Sequence, residues 1–374
     1  MNPNYKSLFE EYTFKNGVML KNRIVLAPMT HFSSNEDGTV SEEELAYYAR
    51  RTGGAGLAIT ACIFVSPNGK GFKGEFAGDS DDMIPGLTKL AARIKEKGAK
   101  AILQIFHGGR ECPPALVPDG DVVGASDVAS VQNASVTPRA LRKDEIEAII
   151  RDFGETTRRA VAAGFDGVEI HGANGYLLQQ FFSPHANTRE DEWGGSIDNR
   201  LKFPLAVVDE VKRAAALYAK GPFLVGYRFS PEESTTPGIT MEDTFRLIDE
   251  LAAKELDYLH VSLFDFWSKP ARGADENKAR IEWIQERVGS RVPVIGVGSI
   301  HTPDDAVKAL ETGIPLVALG RELIVDPDWV EKTAAGKESE IQTTLSRKDQ
   351  ERLVVPTPLW NAIVHSPGWF PVGD

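Results

Sequence analysis

Gly164-Phe165-Asp166-Gly167-Val168-Glu169-Ile170-His171-Gly172-Ala173-Asn174-Gly175-Tyr176 is a glycine-ended helix giving way to a short alternating strand and then a polar loop. Strand alternation with flanking glycines is the signal for the first part. The strand ends on His171, and Asn174 and Tyr176 follow it on the loop. His171 and Asn174 can donate to one substrate oxygen, while Tyr176 offers a weakly acidic proton from another side. That suits polarising a carbonyl or nitro group and protonating the carbon beside it. Alone, the run also reads as a plain polar loop.

Working outward, the same helix-to-strand unit recurs along the chain. Apolar strands are predicted over 23–29, 56–61, 99–105, 168–170, 223–229, 258–263, 292–297 and 315–319. Helices are predicted over 41–51, 85–98, 144–163, 196–216, 240–254, 277–288, 302–313 and 326–335. Ser41-Glu42-Glu43-Glu44 has the form of a capping box. Thr302-Pro303-Asp304-Asp305 combines a cap, a first-turn proline and acids suited to the helix dipole. Strands apolar on both sides belong to a parallel sheet covered by helices. Eight repeats favour closure, so the α/β fold is read as a (βα)8 TIM barrel with long βα loops.

Residues 13–20 form an N-terminal hairpin around Asn16-Gly17, outside the main sheet. Residues 110–141 lack helical period, as a lid or binding loop would. One barrel thus occupies 1–374, with 338–374 as a C-terminal arm. Trp360 and Trp369 in that Pro-rich arm are expected to dock, on this barrel or at a subunit interface of a homo-oligomer.

The chain has 374 residues, 42% hydrophobic and 26% charged, with a net charge of −12. Such a charge repels nucleic acid and anionic membranes. No apolar run reaches membrane-spanning length, and the N-terminus does not read as a signal peptide. Two cysteines, Cys62 and Cys112, supply neither a disulfide framework nor a thiolate cluster, so a cytoplasmic location is expected.

Chemistry in such a barrel sits at the C-terminal strand ends. Those ends carry no lysine for a Schiff base, no acid cluster for magnesium and no His-x-His pair for zinc. A zinc site from His31, His107 and His171 is disfavoured because no carboxylate joins them, and no metal is expected. Gly298-Ser299 and Gly320-Arg321 form two glycine-rich ends where a phosphate can be held by backbone amides and a bidentate arginine. The bland alternative is a pair of tight turns. Gln104 and Arg228 suit the amide-like edge of an isoalloxazine ring, where an arginine favours the reduced anion. Alternatively, Arg228 serves as the partner of Glu169 or Glu232.

At this point the chain resembles the Old Yellow Enzyme family of FMN-dependent ene-reductases. The matching segments are 20–30, 103–110, 166–178, Phe182-Ser183-Pro184, 193–200 and the two late glycine turns. The resemblance implies non-covalent FMN, NADH or NADPH as reductant, and an activated alkene, nitro compound or quinone as acceptor. It places Ala27, Pro28, Met29 and Thr30 along the flavin, with Thr30 near N5 and tuning its potential. Ala61, Gln104 and Arg228 would contact the ring, and Gly298, Ser299, Gly320 and Arg321 the phosphate. His171 and Asn174 would bind the substrate oxygen, with His171 also touching the flavin, and Tyr176 would protonate the α-carbon.

Thr30-His31-Phe32 departs from one bacterial branch, which has cysteine at the first position and usually Met and Tyr at the next two. Larger relatives add an iron–sulfur site and a second flavin domain, which two cysteines and an end at Asp374 are expected to exclude here. The competing readings are a flavin, quinone or nitro-compound reductase on the same barrel, a flavin-free phosphate-binding barrel enzyme, and a non-enzymatic binding barrel.

Overall fold

A computed structural model describes residues 1–132 and 134–373. Asn133 and Asp374, both within the span read as barrel and arm, lie outside the described residues. Eight parallel strands form the barrel: β1 (Ile24–Leu26), β2 (Leu57–Phe64), β3 (Lys100–Phe106), β4 (Gly167–Gly172), β5 (Leu224–Phe229), β6 (Tyr258–Val261), β7 (Val294–Val297) and β8 (Leu316–Leu319). Each pairs with its neighbours in sequence, and the β8–β1 pairing closes the ring. Outside them lie α1 (Glu42–Arg51), α2 (Ile84–Lys95), α3 (Lys143–Ala162), α4 (Ile197–Tyr218), α5 (Met241–Ala253), α6 (Arg280–Val288), α7 (Pro303–Leu310) and α8 (Trp329–Ala335). This is the (βα)8 barrel expected.

The helix starts follow the sequence closely. Ser41, Thr240 and Thr302 each cap a helix through the side-chain oxygen, and an acid at N3 returns the bond to the cap's own N–H. Such caps are worth about 1 kcal/mol each, because they satisfy otherwise orphaned amides. The hairpin pairs Tyr12–Thr13 with Met19–Leu20, turning on Gly17 at φ +91°. Its Phe14, Val18 and Leu20 close the bottom of the barrel against Val25, Leu57, Ile102 and Ile295.

Three segments differ from expectation. Residues past Tyr176 read as loop, but Leu177–Phe182 forms a short helix with every residue buried. So short a span carries no periodic cue. After β8 the chain forms a separate helix, Arg321–Val325, before α8 begins at Trp329 rather than at Asp326. The long segment after Arg110 is not featureless: it holds three short 3-10 turns, and Val123–Gly124 pairs with Arg139–Ala140.

The C-terminal arm packs on its own barrel. Short helices Gln350–Leu353 and Thr357–His365 bury Leu353, Leu359, Trp360 and Ile363, and Phe370 beyond them is 5% exposed. Arg51 of α1 stacks on Tyr47 at 3.6 Å and donates to the Leu353 carbonyl at 2.7 Å, tying the arm to the first helix. Among the described residues no helix is long and apolar enough to cross a membrane.

Candidate active site

Strand register brings the polar residues together. Glu169 and His171 are two apart on β4, so both point to one face. Gln104 on β3 is level with Glu169, and Arg228 on β5 is level with both His171 and His260. An open cleft of about 610 Å³ lies beside them at the C-terminal ends of β1, β7 and β8. Ala27, Pro28, Met29, Arg228, Gly298, Ser299, Gly320 and Arg321 all line it, as do Leu263, Phe264, His301, Glu322 and Trp369. Thr30, Ala61, Gln104, His171, Asn174 and Tyr176 are not in its walls.

The cleft is shaped to admit backbone-close contact. Gly298 has φ +137°, and a Cβ there would stand 2.6 Å from the Phe266 nitrogen. Ser299 follows with φ +48°, a conformation side chains seldom adopt. Arg321 donates to Ser299 Oγ at 2.8 Å and to the Trp369 carbonyl at 3.1 Å, so its fork is held at the rim. Arg228 is buried with no hydrogen-bond partner at Nε among the described residues. A buried cation with an unused donor beside a cleft fits a ligand carrying acceptors. Glycine cradle, clamped arginine and a guanidinium with an unused Nε donor together fit a phosphate-bearing aromatic cofactor.

The β4 loop presents its donors in a defined state. The Ala173 N–H donates to His171 Nδ1 at 3.2 Å, which leaves the proton on Nε2. Burial, and then the Arg228 charge, push His171 down to about 3, so the ring is neutral at physiological pH. Asn174 adopts φ +58°, and its Oδ1 accepts from Ser262 Oγ at 2.9 Å and from Ser230 Oγ at 3.3 Å. With its oxygen engaged, the amide has Nδ2–H to offer. Tyr176 stands edge-on to His171 at 5.1 Å and to Phe106 at 4.6 Å, with Phe72 at 6.0 Å. Burial, then Cys62 and Glu75, raise its phenol far above the usual value, so it stays protonated.

Beneath this lies a buried network of Gln104, Glu169 and His260, of which sequence reading missed His260. Gln104 Nε2 donates to Glu169 Oε1 at 2.7 Å, and His260 Nδ1 lies 2.9 Å from Glu169 Oε2. Burial pushes Glu169 up, but His260, Arg228 and Gln104 outweigh it and hold the carboxyl below its usual range. Arg228 therefore has Glu169 as an electrostatic partner while keeping Nε free. Glu232 is taken by Arg280 at 2.5 Å, which removes the other alternative for Arg228.

The Cys62 thiol donates to Glu75 Oε1 at 3.6 Å, and Thr30 is among the groups that act on it. Glu75 Oε2 accepts from the Gly71 and Phe72 amides at 2.7 and 3.1 Å. Burial, opposed by those amides, raises Glu75 to about 8.

The three strand-end histidines do not converge. His31 contacts Tyr48 and lies 3.0 Å from Glu44, His107 contacts Asn68, and His171 accepts from Ala173. Glu44, from α1, reaches His31 alone and does not join the three rings into a ligand set. Among the described residues no group of three or more His, Cys, Asp or Glu is arranged to hold a metal ion.

Residues 7–340 match the NADH:flavin oxidoreductase / NADH oxidase family. The chain belongs to this family. It is 58% identical to a probable NADH-dependent flavin oxidoreductase of Bacillus subtilis, over all of both chains. It is 44% identical to an NADH:fumarate oxidoreductase of Klebsiella pneumoniae, covering 94% of this chain but 38% of that protein. The structure of morphinone reductase in complex with tetrahydroNAD superposes with a TM-score of 0.75 at 29% identity, covering 88% of this chain and 91% of that one. The chain is therefore an NAD(P)H-dependent flavin oxidoreductase of the Old Yellow Enzyme type, using FMN. The flavin-free and non-enzymatic readings fall away.

Within this family's barrel, the cleft residues that sequence reading missed are instructive. His301 and Glu322 follow directly on segments it did single out, so proximity in sequence was an available signal. Trp369 comes from the far end of the chain, and only tertiary packing carries it there.

Proposed function

We propose that this enzyme reduces the C=C bond of small alkenes conjugated to a carbonyl, carboxyl or nitro group. His171 and Asn174 hold the substrate oxygen, and Tyr176 protonates the α-carbon. The observation that carries this reading is the state of the two donors. Each has its acceptor atom occupied by the protein itself, so each turns an N–H toward substrate. Two such donors on one oxygen stabilise the negative charge that develops there as the β-carbon is reduced, an effect worth about 3 kcal/mol per donor in comparable sites. The chemistry supplied by bound FMN is hydride transfer, received from NADH or NADPH and passed to the β-carbon. Tyr176 then closes the reaction by losing its phenolic proton to the α-carbon. Relatives named for fumarate and acrylate, both alkenes conjugated to a carboxyl group, support this substrate class.

For the flavin, Ala27, Pro28, Met29 and Thr30 would flank the ring, and Ala61 and Gln104 would contact it. Arg228 would meet its pyrimidine edge, with Gly298, Ser299, Gly320 and Arg321 on the phosphate. A second reading, reduction of quinones, nitroaromatics or free flavin, draws on the aromatic series Phe32, Phe72, Phe106 and Tyr176, whose successive rings lie 4.6–6.0 Å apart. Such a wall suits a flat acceptor.

The test is an anaerobic absorption titration of the purified protein. NADH or NADPH should bleach the flavin bands, and cyclohexenone or a nitroalkene should restore them. Recovery with quinones alone would select the second reading and sink the first.

A further inference from the structure

His301 lines the same cleft wall as Gly298, Ser299 and Arg321, two residues past Ser299, and its side chain is 38% exposed. Its Nδ1 lies 3.1 Å from Glu322 Oε2, and Glu322 is 1% exposed at its side chain. That pairing leaves Nε2–H as the ring's remaining donor. The backbone that carries the ring is held in place. Its backbone carbonyl accepts from Trp329 Nε1 at 2.7 Å, and its own N–H donates to Asp305 Oδ2 at 3.2 Å. Glu322 itself is unexpected in a wall meant for an anion. Its second oxygen, Oε1, is buried with no partner among the described residues, and an unscreened carboxylate there repels a phosphate.

We propose that His301, braced by Glu322, is a second cationic group for the cofactor's phosphate beside Arg321. The inference rests on reading this cleft as the FMN phosphate site. With the ring charged, the His301–Glu322 pair is neutral overall and turns an N–H outward. With the ring neutral, the pair carries the full carboxylate charge toward the phosphate. The Glu322 hydrogen bond raises the His301 pKa above its usual value, against burial and the Arg321 charge, with Asp305 adding a smaller push upward. Glu322 is in turn raised by burial, with His301 opposing, and Asp326 beyond it is engaged by Lys332 at 2.6 Å. The bland alternative is that His301 only neutralises a buried carboxylate.

The experiment is flavin exchange on the holoenzyme. Protein carrying FMN is equilibrated with riboflavin, and the bound ratio gives the preference for the phosphorylated form. H301Q is expected to lower that preference roughly 10- to 100-fold at neutral pH, the scale of one charge-assisted hydrogen bond. H301K should recover most of it. The preference should fall as pH rises through the imidazole range in wild type relative to H301Q, and the phosphate's own ionisation, common to both, cancels in that comparison. E322Q should move that fall to lower pH. Equal weakening of FMN and riboflavin in H301Q would assign His301 a merely structural role and overturn the proposal. An unchanged preference would overturn it too. If wild type itself failed to discriminate FMN from riboflavin, the phosphate reading of the whole cleft would be lost with it.

Discussion

The Ala173 backbone N–H donates to His171 Nδ1 at 3.2 Å and so decides which imidazole nitrogen keeps the proton. A neutral Nε2–H donor is the consequence, since burial and Arg228 keep the ring from charging until about pH 3. The oxidative half-reaction should then show no ionisation from His171 across pH ~5–8, where an ordinary imidazole would titrate. H171N should lower kcat/KM for an enone by roughly 10²-fold or more, the usual cost of one such donor. A limb near neutral pH that vanishes in H171N would contradict the neutral-ring assignment.

Tyr176 should be separable from the flavin's own reduction. Its phenol is walled by Phe106 and Phe72 and holds its proton firmly. Y176F should slow alkene reduction by about 10²-fold, a typical size for general acid catalysis, while leaving flavin reduction by NAD(P)H almost unchanged. Stopped-flow traces of the two half-reactions give the answer. Equal loss in both would remove Tyr176 from the proton-donor role.

Glu75 should make stability fall with rising pH. Burial raises its pKa from the ordinary carboxylate value to about 8, so the native state keeps a proton that the unfolded chain has lost. The stabilisation is complete below the unfolded pKa near ~4.5 and is lost as pH climbs through about 8. Every tenfold change in proton affinity corresponds to about 1.4 kcal/mol, so the whole effect is at most several kcal/mol. E75Q should flatten this slope in denaturant titrations between pH ~5 and ~8. A slope identical to wild type would show that the carboxyl ionises normally.

Gly298 should tolerate no side chain. At φ +137° a Cβ meets the Phe266 nitrogen at 2.6 Å, and neither backbone can yield cheaply. G298A should cost at least about 10-fold in FMN retention, from strain of a few kcal/mol shared between the fold and the site. Flavin fluorescence released on dilution reports it. Full retention in G298A would mean the cleft wall relaxes freely.

Much of the site is legible in the sequence. Counting repeats places Pro28-Met29, Gly298-Ser299 and Gly320-Arg321 at strand ends, and all six residues line one cleft. Caps at Ser41, Thr240 and Thr302 are local, encoded within one helical turn, and so read directly. Leu177–Phe182 escapes because one and a half turns carry no usable period, and burial on every side erases what amphipathic pattern there is.

The sequence by itself determined the eight-fold repeat, the order of its strands and helices, and the family, because periodicity, turn chemistry and motif order are properties of neighbours along the chain. Tertiary structure alone decided the protonation states and the pairings. Glu169 reads as one of two alternative partners for Arg228 until register sets Gln104 and His260 against its two oxygens. Glu75 reads as a loop acid until it is buried on Cys62. Trp369 reaches the cleft only by crossing from the end of the chain to Arg321. Charge, desolvation and hydrogen-bond geometry depend on distances in space, and residues far apart in sequence acquire those distances only when the barrel closes.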